Sequence, residues 1–169
     1  MRVDVVERLP EHSAATGEAP EDASVKLALQ NFQSAMQGDD SLFVTEYGGK
    51  SRVNRAGDGR GICSGNFSLS FKEREFGQNR GLYFQLIQKL IELLKGAGSQ
   101  EVLMARLCLV SAEKNESRSG FFSLGIELEA VGDNSDQAAL RWGLGLAHLQ
   151  QALLFTSRHL RQLISQKKD

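Results

Sequence analysis

Proline is nearly absent from this chain of 169 residues, and both copies, Pro10 and Pro20, fall within the first 20. Nothing after Pro20 is therefore barred from long helices or continuous sheet ladders by a missing N–H. Cysteine is equally scarce. Cys63 and Cys108 stand 45 residues apart and match no CxxC or Cys/His ligand spacing, so they read as buried thiols in a reducing compartment. No apolar run approaches the roughly 20 residues of a spanning helix, and the opening MRVDVVERLP places charges where a signal peptide needs an apolar core. A cytoplasmic protein without a membrane partner is expected.

Catalytic signatures are missing too. His12 lies near the start, while His148 and His159 share one helical stretch about 16 Å apart at 1.5 Å per residue, too far to hold one metal ion. No GxSxG elbow surrounds a serine. Glu73 and Glu75, alternating with Lys72 and Arg74, read as a solvated strand end. The tetrapeptide Gly48, Gly49, Lys50, Ser51 matches the end of a phosphate-binding loop, but Val44 stands where that pattern requires glycine, and no helix-forming period follows the lysine. The chain is read as non-enzymatic, with no cofactor and no metal.

What is present is a polarised charge distribution beneath a formal net charge of -1. Residues 1–40 hold 3 basic against 8 acidic side chains, and residues 41–80 hold 7 against 4. Residues 1–21, rich in small and acidic residues, read as a flexible acidic tail, and residues 22–169 as a single α+β domain. Within that domain Val25, Leu29, Phe32 and Met36 recur with helical spacing. SLFVTEY and ICSGNFSLSFKER read as strands. In the second, Phe67, Leu69 and Phe71 face one way while Asn66, Ser68 and Ser70 face the other. A helix is expected from about Asn79 to about Lys95, then a hairpin from EVLMARLCLVSA and FFSLGIELEAV, then a helix from Asn134 to about Gln166 opened by a capping box with Gln137. The expected architecture is an antiparallel sheet of about four strands packed with three helices, the last of them long.

Two segments suggest function. From Gly48 to Gly61 the chain is rich in Gly and Arg and carries no aromatic residue, so it cannot bury itself. Lys50, Arg52, Arg55 and Arg60, extended by Lys72, Arg74 and Arg80, are the candidate contacts to a DNA or RNA phosphate backbone. The leading expectation is accordingly a nucleic-acid-associated accessory subunit, and the plainer reading of the segment is a solvated loop. The second segment is the last helix. Trp142, Leu146, Leu149, Leu153, Leu160 and Leu163 form a heptad-spaced seam, widened by Leu140, Leu144, Leu154, Phe155 and Ile164. Such a seam suits an alternative function, a protein-interaction module of the assembly-factor or secretion-chaperone-like kind that dimerises or docks through this helix. It equally suits the longest core helix of the domain.

Overall fold

The computed structural model describes residues 1–9, 23–46, 52–55, 59–73, 76, 79–97, 102–111 and 122–167. Their order is β1 (Arg2–Val5), α1 (Ala23–Gln37), β2 (Phe43–Glu46), β3 (Arg52–Arg55), β4 (Gly61–Phe71), α2 (Arg80–Lys95), β5 (Leu103–Ser111), β6 (Phe122–Gly132) and α3 (Ser135–Lys167). The α+β class and the three helices are as the sequence predicts. The sheet is larger than expected and mixed. Its order is β1-β5-β6-β4-β2, with β3 also on β4, so six strands fill five positions. The long β4 pairs with β3 through Gly61–Ser64 and with β2 through Ser68–Phe71.

Two strands differ from the sequence expectation. β1 lies inside the segment read as a tail, and it pairs in parallel with β5, Arg2 opposite Met104 and Val5 opposite Leu107. Val3 packs against the core and Met1 is fully buried. β3 lies inside the Gly/Arg segment, held antiparallel to β4 with Arg52 opposite Ser64 and Arg55 opposite Gly61. A ladder is made by backbone groups, so an arginine-rich tetrapeptide can serve as an edge strand. Residues 10–22, 47–51, 56–58 and 112–121, which include the rest of both segments and the hairpin loop, lie outside the described residues.

The helices start where their sequence signals place them. Asn79, in an extended conformation, caps α2 by accepting from the N–H groups of Gly81 and Leu82 at 3.0 and 3.3 Å. At the start of α3 the Gln137 N–H donates to Asn134 Oδ1 at 2.8 Å, and Gln137 Oε1 accepts from the Asp133 N–H at 2.6 Å. This is a capping box whose return bond lands one residue early.

All three helices lie on one face of the sheet, with α3 in the middle between α1 and α2. The inner face is built from Phe67 and Leu69 of β4, Leu124, Ile126 and Leu128 of β6, and Leu103, Ala105 and Leu107 of β5. Phe67 meets Phe32 of α1 and Trp142 of α3, with ring centroids 5.8 and 5.9 Å apart. α3 presses closely here. A Cβ on Gly65 would sit 2.7 Å from Trp142 Cζ2, and one on Gly145 would sit 2.9 Å from Leu103 Cδ2. Glycine at 145 thus offsets its cost of about 1 kcal/mol in a helix by letting α3 approach the sheet.

Candidate interaction surfaces

The seven expected basic contacts do not form one patch. Lys50 and Arg74 lie outside the described residues. Arg52 and Arg55 sit on edge strand β3 beside the Gly61 end of β4, and Arg60 is exposed next to them. Lys72 and Arg80 follow the Phe71 end, which a strand rise of 3.3 Å per residue puts roughly 33 Å away. Both serve their own chain. Lys72 Nζ donates to the Gln37 and Gly38 carbonyls at the end of α1, satisfying acceptors that the helix leaves open. The Arg80 guanidinium lies over the exposed ring of Phe84, 5.7 Å from its centroid.

The expected seam on α3 is core. Trp142, Leu146, Leu149, Leu153 and Leu160 are buried by the chain itself, and Leu163 is half-buried against them. Trp142 Nε1 donates to the Leu128 carbonyl at 3.0 Å, while Thr156 and Ser157 return their hydroxyls to the carbonyls of Ala152 and Leu153. Fully burying one such leucine contributes roughly 1.5–3 kcal/mol, a gain already taken within the monomer. Trp142, Leu146, Leu149, Leu153 and Leu160 are therefore not available as contacts to a second molecule, which corrects the interface expected from their spacing, and Leu163 keeps only part of its surface in solvent.

The other side of the same helix is open. Leu140, Leu144 and Phe155 are 63%, 55% and 53% exposed, and Ala147, His148 and Gln151 complete the stripe between them. From Trp142 to Ser157 there is no Lys, Arg, Asp or Glu at all. The cations bordering this stretch point back to the chain. Arg141 donates to the Val131 carbonyl at 2.9 Å, Arg158 pairs with Asp40 at 3.4 Å, and Arg161 donates to the Asp39 carbonyl at 2.7 Å and pairs with Glu73 at 3.6 Å. Leu27 of α1 and Phe84 of α2 are exposed on the flanking helices, and Lys89 Nζ lies 5.7 Å from the Phe155 centroid. Large apolar side chains on an uncharged helical stripe are the usual mark of a contact surface.

Spacing alone merges these residues with the seam. A turn of 100° per residue would have separated them, because positions 140 and 144 each lie two residues from Trp142 and hence on the far side of the helix. The complete lack of charge over 142–157 was the signal in the sequence that the stripe is not an ordinary solvated face.

The sheet face away from the helices carries a tight ion pair. Arg106 Nη1 donates to Glu127 Oε1 at 2.7 Å across β5 and β6, and Glu127 is only 3% exposed. Its Oε2 and the neighbouring Asn66 Oδ1 make no hydrogen bond. After β1 the chain crosses onto this face. Val6 N–H donates to the Leu107 carbonyl at 3.0 Å, the Glu7 carbonyl accepts from the Cys108 thiol at 3.0 Å, and Leu9 covers Gly125 so closely that a Cβ there would meet it at 2.6 Å. Burial pushes the Cys108 thiol above its ordinary range, and a hydrogen bond to the Leu9 backbone opposes the shift. Burial likewise pushes the Tyr83 hydroxyl up to about 12, with Cys108 adding to the shift and a bond with the Leu109 backbone reducing it. Both groups are held protonated at neutral pH. Among the described residues no three His, Cys, Asp or Glu side chains are grouped to hold a metal, and no helix is long and apolar enough to cross a membrane.

Comparison of the chain with protein-family models, curated proteins and solved structures finds no match.

Proposed function

We propose that this chain is a non-enzymatic protein-interaction module, an adaptor or assembly factor that docks through the solvent face of α3. The observation that carries the reading is the uncharged stretch Trp142–Ser157 with Leu140, Leu144 and Phe155 standing exposed beside it. A helix of this length needs only one apolar face to hold it on a sheet. A second one, opposite the first, is better explained by a partner than by the domain's own stability.

The test is purification from the native host at low salt with identification of what accompanies the protein. Leu144→Glu with Phe155→Glu should remove the partner while the circular dichroism spectrum, and Tm measured dilute enough for the chain to be monomeric, stay near wild type, since both sites are exposed. An unchanged companion set together with an unchanged oligomeric state in the folded double variant sinks the reading.

A second reading, nucleic-acid contact through the phosphate backbone, is favoured by one observation, the grouping of Arg52, Arg55 and Arg60 at one end of β4. Replacing the three with Ala should then weaken salt-sensitive binding to single- or double-stranded oligonucleotides. Equal affinity before and after removes it.

A further inference from the structure

We infer that the occupant of the exposed α3 stripe is a second copy of this chain, packed antiparallel about a two-fold axis that passes between Ala147 and His148. The inference rests on the interaction-module reading and names its partner.

The stripe is complementary to itself when reversed. Antiparallel pairing about this axis brings Leu140 against Phe155 of the second copy, Leu144 against Gln151 and Ala147 against His148, so every exposed position of the stripe finds a counterpart within it. The bulky apolar residues lie toward its ends, and Ala147 and His148 share its centre. Packed helix axes lie about 8–10 Å apart depending on the side chains at the contact, and here each Ala147 leaves room for the His148 of the other copy. A closed two-fold contact is isologous, so self-complementarity of one patch is the requirement it imposes.

Charge selects the direction. Asp136 is exposed in the first turn of α3, and Arg158 and His159 are exposed near its other end. Reversal sets Asp136 of one copy beside Arg158 and His159 of the other and opposes the two helix dipoles. A parallel pair would instead set Asp136 against Asp136 and Arg158 against Arg158. The existing pair of Arg158 with Asp40 is no obstacle, because both side chains are exposed, at 63% and 72%, and such pairs are weak. The same two-fold places α1 opposite α1 and α2 opposite α2, so Lys89 of α2, already at the Phe155 ring, borders the contact on the α2 side.

Sedimentation velocity and light scattering over a concentration series test this with the full chain. A species of twice 18.6 kDa is expected, lost in the folded Leu144→Glu, Phe155→Glu variant. Asp136→Arg should weaken the dimer, and adding Arg158→Asp should restore it. Direction is read by oxidation with copper phenanthroline. His148→Cys, beside the axis, should crosslink to itself, whereas Leu140→Cys should not. A wild-type chain that stays monomeric at every concentration overturns the inference, and so does efficient self-crosslinking of Leu140→Cys. If the chain is monomeric and the double Glu variant still loses its companion in the host, the interaction-module reading survives with a different partner. If the companion is also retained, both fall.

Discussion

Both long faces of α3 carry large apolar residues, and those residues meet opposite fates. On one, Trp142, Leu146, Leu149 and Leu153 are sealed against the sheet, and on the other, Leu140, Leu144 and Phe155 stand in solvent. Residue type alone does not separate these leucines and aromatics. The neighbours do: α3 rests on β4 and β6, has α1 and α2 at its sides, and has nothing from the described chain on its fourth side. Apolar content therefore says how many surfaces a helix wants covered, and topology says how many its own domain covers.

The sharpest way to break this comparison is to truncate one residue on each face. Trp142→Ala should lower unfolding free energy by roughly 3–5 kcal/mol, through lost burial and the cavity left against Phe67 and Gly65. Leu144→Ala, measured dilute enough for the chain to be monomeric, should change it by no more than about 0.5 kcal/mol. Urea unfolding followed by circular dichroism measures both. Similar losses for the two would mean that the outward face is structural and would remove the ground for a docking surface.

A smaller effect sharpens the description of the buried face. Gly65→Ala introduces a Cβ 2.7 Å from Trp142 Cζ2, an overlap that forces the indole or β4 to shift and should cost about 1–3 kcal/mol. Combining it with Trp142→Phe should cost less than the sum of the two single changes, because the smaller ring vacates the space the methyl enters. Strict additivity would show that the helix and the strand are less tightly apposed than the distances state.

The contrast also explains what the sequence could and could not reveal. Helical period, the Asn79 and Asn134 caps and the alternation along β4 and β6 are local, and the structure follows each of them. β1 is hard to read from sequence because its partner is a hundred residues away and its outward residues, Arg2 and Asp4, are charged. Edge strands commonly carry charge, so a four-residue edge has little period left to read. β3 is hidden for a similar reason, since its ladder to Gly61–Ser64 uses backbone atoms that arginine side chains do not advertise. Spacing reports which residues of α3 share a side, while burial depends on where α1 and α2 dock. The separation of Lys72 and Arg80 from Arg52, Arg55 and Arg60 is a consequence of β4 being long, which no charge count contains.

α2 repeats the inside-outside contrast in adjacent residues and supplies the mildest test. Tyr83 is buried and Phe84 is 58% exposed. Because burial raises the Tyr83 hydroxyl from 10 to about 12, the folded state keeps a proton that the unfolded chain releases in that interval. The folded state then binds more protons than the unfolded one, so stability is fully present below about pH 10 and falls as pH rises toward 12. Cys108, also raised, adds a fall of the same sign beginning near the ordinary thiol range. The urea midpoint should therefore decline between about pH 9 and about pH 11 in the wild type and decline less in Tyr83→Phe, whereas Phe84→Ala should follow the wild-type profile. A Tyr83→Phe profile superimposable on wild type would place the hydroxyl in water and open the α2 side of the core, leaving the closed inner face an attribute of α3 alone.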